Sequence, residues 1–120
     1  MKAVLPLACA VLLAAQAFFS HAGDAKRGKQ LYESRCIGCH SIEENRVGPA
    51  HRGVFGRKAG SVEGYVYSPA LKSARVVWSE KTLDRWLTNP EATIPGQKMG
   101  FAVPSANDRA DLIEYLRSAQ

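Results

Sequence analysis

Methionine is almost missing from this sequence. Of 120 residues only two are methionine, and with the initiator Met1 set aside Met99 stands alone. Cysteine and histidine are scarce too, with three of each. There is no internal repeat, which excludes solenoid arrays, and no low-complexity tract. No stretch alternates apolar and polar residues as a half-buried strand does, which argues against a sheet. No block of like charge occurs, so the basic balance (formal charge +5) suits an electropositive docking face better than nucleic-acid binding.

One long apolar run is present, at the start. Lys2 precedes an almost unbroken apolar stretch from Val4 to Phe19, and Ser20-His21-Ala22 puts small residues where a signal peptidase reads. The run is short for a stable membrane span, and Cys9 comes too early for a lipoprotein. The expectation is a cleaved signal peptide over 1–22, export to the periplasm, and one domain over 23–120. Without Lys2 the exported part has 15 basic and 11 acidic residues, a formal charge of +4 (15 − 11). It retains two cysteines, Cys36 and Cys39, and two histidines, His40 and His51.

Three segments read as helices. The first follows Asp24 as N-cap, carries Leu31 and Tyr32, and reaches Cys36. Gly28 interrupts it at about 1 kcal/mol relative to Ala, a cost that close approach of another backbone explains. The second follows Ser79, with Leu83, Trp86 and Leu87 on one face, and stops at Asn89-Pro90. The third starts at Ser105, with Asp108 completing a capping box, and runs through Leu112, Ile113, Tyr115 and Leu116. From Ser41 to Trp78 the chain is Gly-rich and broken by Pro49 and Pro69, leaving room only for short helical turns. So long an irregular segment needs something to organise it.

Cys36-Ile37-Gly38-Cys39-His40 is the C-x-x-C-H signature of c-type haem attachment. Two thiols on one turn can each add to a haem vinyl group, and the next residue then brings an imidazole nitrogen to the iron. A disulfide or redox dithiol between the cysteines suits an oxidising compartment, but leaves His40 without a role. A zinc site needs four ligands, and His51 is poorly placed to complete one. For the iron's sixth position the candidates are His51 and Met99. His51 lies only 11 residues beyond His40, an awkward connection to the opposite face of a ring. Met99 sits in Ile94-Pro95-Gly96-Gln97-Lys98-Met99-Gly100-Phe101, a Pro/Gly loop where a gap-filling core methionine is out of place.

The ordered set of motifs resembles the class I cytochromes c, in particular the mitochondrial cytochrome c and bacterial cytochrome c2 group. Gly23-Asp24, Gly28, Tyr32 and Cys36-x-x-Cys39-His40 match its start. Gly48-Pro49, Gly53-x-Phe55-Gly56-Arg57, Gly64-Tyr65-x-Tyr67 and Trp78 match its middle. Asn89-Pro90, Ile94-Pro95-Gly96-x-Lys98-Met99-x-Phe101 and Arg109 to Leu116 match its end. The resemblance implies a small all-α fold in which the N- and C-terminal helices cross, Gly28 and Tyr32 meeting Leu112 and Tyr115, and long loops wrap one haem c held through two thioethers. It implies His40 and Met99 as axial ligands, the Pro49 carbonyl fixing the His40 tautomer, and Arg57, Tyr67 and Trp78 hydrogen-bonding the haem propionates. Lys98 would face outward and Phe101 would return the chain to the core. His51, Leu71, Trp86 and Gln97 depart from the pattern, the last three on the methionine side.

The expected function is that of a monomeric electron carrier, not an enzyme, shuttling single electrons in a respiratory or other chain. Partners implied are membrane or periplasmic redox proteins: a cytochrome bc1-type donor, a terminal oxidase or a dehydrogenase. They would dock briefly through basic residues at the haem edge, drawn from Lys29, Lys72, Lys98, Arg35, Arg46 and Arg52. The alternative is a haem enzyme or a gas or redox sensor in which Met99 is displaceable.

Overall fold

The computed structural model describes residues 22–120. The expected signal peptide, 1–22, therefore lies almost wholly outside the described residues. Five helices follow in order: α1 Ala25–Arg35, α2 Pro69–Ser73, α3 Glu80–Thr88, α4 Pro90–Thr93 and α5 Ala106–Ser118. Among the described residues no strand forms, and no helix is long and apolar enough to cross a membrane.

The helix starts are set by polar side chains. The Asp24 carboxylate accepts from the N–H groups of Lys26 and Arg27 and opens α1. Ser79 and Thr82 bond reciprocally at the start of α3, a full capping box. Ser105 accepts from the Asp108 N–H at α5, but the Asp108 side chain does not turn back to complete the expected box. It accepts instead from Arg27 (2.8 Å) and Arg35 (3.0 Å) on α1. The short α4 was not expected. Asn89 ends α3 and its side chain caps α4 through the Ala92 N–H, while Pro90 occupies the first turn, where its missing N–H costs nothing.

The crossing of α1 over α5 organises the molecule. A Cβ built on Gly28 would lie 1.9 Å from the Asp111 carbonyl oxygen, so only glycine lets the backbones meet here. One turn on, Tyr32 is buried with its ring centroid 5.3 Å from that of Tyr115. Leu112 and Ile113 pack into the same core, with Leu83 from α3, Ile94 and Val103. The Asp111 side chain, with no exposed surface, takes an ion pair from Arg27 and accepts from the Asp24 N–H at 2.8 Å. A buried carboxylate is stable only when paired in this way.

The long middle segment is held by main-chain bonds. Gly56 donates to the Trp78 carbonyl (2.7 Å), Trp78 to the Arg57 carbonyl (2.8 Å) and Ala59 to the Val76 carbonyl (2.8 Å). Trp78 is buried there, its ring 5.3 Å from Trp86 of α3. Gly60, at φ +71°, lets the Leu71 carbonyl approach to where a Cβ would otherwise sit 2.2 Å away.

Hydrogen bonds from Arg27 and then Arg35 hold the Asp108 carboxyl below its usual 3.8. A depressed carboxylate stabilises the fold above its unfolded pKa, and that contribution is lost as pH falls through the folded value. Asp108→Asn is therefore expected to melt at a lower temperature than the parent at neutral pH. The gap should close as pH drops below about 3.8, which thermal melts across an acid pH series would record.

Candidate functional site

The C-x-x-C-H segment continues directly from α1. The Cys36 N–H donates to the Tyr32 carbonyl, and the Cys36 carbonyl accepts from both Cys39 (3.1 Å) and His40 (2.9 Å). The two thiols and the imidazole are thus carried on a single closed turn at the helix end, anchored by buried Tyr32. No disulfide joins Cys36 and Cys39; Cys36 is half-buried and Cys39 exposed. Burial pushes the Cys36 thiol up to about 11. Among the described residues no group of three His, Cys, Asp or Glu is placed to hold a metal ion, whereas a structural zinc site takes four ligands.

The imidazole of His40 is fixed from several directions. Its Nδ1 lies 2.9 Å from the Pro49 carbonyl. A carbonyl only accepts, so Nδ1 carries the proton and the lone pair of Nε2 is left for a metal. Burial lowers the His40 pKa and the bond to Pro49 works against that shift. Gly48 donates to the Cys39 carbonyl at 2.8 Å, and a Cβ on it would stand 2.1 Å from His40 Cε1. The backbone therefore closes on the ring where any side chain would displace it. His51, which no spacing pattern pointed out, stacks on His40 with ring centroids 4.0 Å apart and planes 21° apart. Its Nδ1 is 2.9 Å from the Tyr32 hydroxyl.

Met99 lies partly buried in the strap between α4 and α5. Gln97 is engaged with the strap itself: its Oε1 accepts from the Met99 N–H at 2.5 Å and its Nε2 reaches Glu91 at 3.3 Å. Glu91 also accepts from the Gly96 N–H (2.8 Å), and Gly96 has φ +87°. Lys98 is exposed as expected. Phe101 is not the residue that returns the chain to the core, since it is 43 % exposed. Val103 does so, fully buried and with its N–H on the Leu87 carbonyl at 2.7 Å.

Arg57, Tyr67 and Trp78 belong to the middle segment. The Arg57 guanidinium donates to the carbonyls of Arg52 (2.9 Å) and Ala50 (3.0 Å). Burial lowers its pKa from the ordinary value, and Tyr67 is close enough to oppose that electrostatically. The Tyr67 hydroxyl accepts from the Val62 N–H at 2.9 Å. Two bonds leave further guanidinium N–H donors uncommitted.

These features fit a haem: two thiols on one turn, a histidine with Nε2 free, and a glycine cradle pressed on its ring. Comparison with known proteins agrees. The family model described as Cytochrome c matches residues 25–120. A cytochrome c of Euglena viridis is 48% identical over 99 residues, covering 80% of this chain and 97% of its own. One of Arabidopsis thaliana is 46% identical over 98 residues, covering 78% and 88% respectively. Among solved structures, cytochrome cH from Methylobacterium extorquens superposes with a TM-score of 0.76 at 39% identity, covering 80% of this chain and 99% of its own. The chain belongs to the cytochrome c family. Its architecture is the class I cytochrome c fold, and its cofactor is one covalently attached haem c.

Because the Gly48 backbone touches the His40 ring, Gly48→Ala should push His40 off the Pro49 carbonyl. Haem absorbance per mole of purified chain is expected to fall severalfold. Gly38→Ala has no atom within 4 Å of the new methyl and is expected to load haem as the parent does.

Proposed function

We propose that this protein is an exported, monomeric carrier of single electrons whose haem iron is held between His40 and Met99. The observation that carries the proposal is the His40 geometry, with Nδ1–H on Pro49 and Nε2 free, on a turn that also supplies both thiols. Bound there, the haem supplies a reversible one-electron change at iron. The chain would attach it through Cys36 and Cys39 and hold its iron with His40 and Met99. A thioether opposite histidine raises the reduction potential and keeps the iron from small molecules. Arg57, Tyr67 and Trp78 are assigned to the propionates, supported by the uncommitted guanidinium donors and by the proximity of Arg57 to Tyr67.

The 1–22 segment is assigned as a signal peptide, and the periplasm as the working compartment, on its charge-then-apolar pattern. Transient docking of redox partners, such as a bc1-type donor, a terminal oxidase or a dehydrogenase, is assigned to the surface around the C-x-x-C-H turn and the strap. Ile37 and Phe101 are exposed there at 48 % and 43 %. Arg46 reaches the Ile37 carbonyl at 3.3 Å, and Lys98 adjoins Met99. Arg46, Lys72 and Lys98 have no ion-pair partner among the described residues, unlike Lys29, Arg35 and Arg52. Of those six candidates they are the ones without an ion pair and are assigned to steering a partner.

The rival is a haem enzyme or sensor with a displaceable Met99. Its spare histidine is stacked on His40, on the side of the ligand already assigned and not opposite it. Carbon monoxide separates the two. The reduced carrier is expected to show no spectral change on mixing at neutral pH, whereas Met99→Ala should bind the gas rapidly and have a lower potential. Rapid, complete binding by the parent would favour the rival.

A further inference from the structure

His51 has no role in the electron-carrier assignment above, yet it is among the most constrained side chains of the site. Its N–H donates to the Ser41 carbonyl and its own carbonyl accepts from the Val54 N–H, both at 2.9 Å. The main chain therefore delivers the imidazole to one place. The ring lies face to face with His40, centroids 4.0 Å apart. Its Nδ1 shares a hydrogen bond with the Tyr32 hydroxyl at 2.9 Å, and the Tyr32 ring meets it edge-on at 5.7 Å. Tyr32 is itself buried against Tyr115 of α5.

We propose that His51 is a positioning residue for the iron-ligating imidazole, setting the plane of the His40 ring by stacking on it while tethered through Tyr32 to the α1–α5 crossing. This rests on the assignment of His40 as an iron ligand. The Pro49 carbonyl holds Nδ1 at one point of the ring, which leaves the ring free to tilt about that point. A flat partner 4.0 Å away removes that freedom, because any tilt opens a gap or forces a contact. An apolar side chain at 51 could fill the space but could not bond to Tyr32, so it would not have its own plane fixed. With a haem bound, the plane in which His40 is held would be felt at the iron through the imidazole π system, and would be read in the unpaired spin of the oxidised protein and in its potential.

The test uses the oxidised holoprotein and the variants His51→Leu, Tyr32→Phe and the double substitution. Proton NMR reads the paramagnetically shifted haem methyl and His40 ring resonances, and a redox titration reads the potential. Each single variant is expected to alter the spread of the methyl shifts and move the potential. The double variant is expected to match His51→Leu alone, since Tyr32 acts through His51. His51→Leu with the parent's shifts and potential but a lower melting temperature would overturn the proposal, leaving His51 as packing. Strictly additive effects of the two substitutions would overturn the tether. Should His51→Leu fail to mature, Tyr32→Phe, which keeps the ring, decides by the presence or absence of its shift. Absence of any shifted His40 resonance in the parent would instead refute His40 as a ligand.

Discussion

The rest of the molecule depends on the contact of Gly28 with the Asp111 carbonyl. No side chain fits between the two backbones, so α1 and α5 cross at van der Waals distance and in one place. Arg27, Arg35, Asp108 and Asp111 pin that crossing with paired charges. Tyr32 and Tyr115 fill its flank. The terminal segments of the described chain thus close on each other without help from the irregular middle.

That contact matters for the site because α1 carries it. The C-x-x-C-H turn is an extension of the same helix through the Cys36 N–H bond to Tyr32. Fixing α1 therefore fixes the two thiols and the root of His40. The loop that follows then folds back on the turn: Gly48 donates to Cys39, Pro49 accepts from His40, and His51 donates to Ser41. A haem attached to the turn would meet a histidine already aligned by its neighbours, which lowers the cost of ordering it on binding. The strap that carries Met99 is tied by Glu91 and Gln97 and anchored by Ile94 and Val103. Pro/Gly backbone there is braced by side-chain bonds in place of helix or sheet.

Where local chemistry decides a feature, the sequence was enough. Asp24, Ser79 and Ser105 act next to themselves, and all three open helices. The glycine inside α1 signalled a backbone contact, and C-x-x-C-H is a motif whose chemistry is set by its spacing. Features that depend on distant partners were not legible. Asp108 has the spacing of a capping-box residue, but two arginines from α1 compete for its carboxylate and win. Pro90 reads as a stop, yet Asn89 in front of it makes a start as well. Phe101 was expected to return the strap to the core; the register of the chain gives that place to Val103. The stack of His51 on His40 depends on how the intervening loop closes, which no periodicity records.

The central claim is that the iron sits between His40 and Met99. Its most direct test is proton NMR of the reduced, diamagnetic holoprotein, in which a methionine methyl held over the haem lies in the ring current and resonates far upfield of ordinary methyls. The expected result is one such three-proton signal, present at neutral pH and absent in Met99→Ala. A reduced spectrum without an upfield methyl, or one that keeps it when Met99 is replaced, would contradict the assignment.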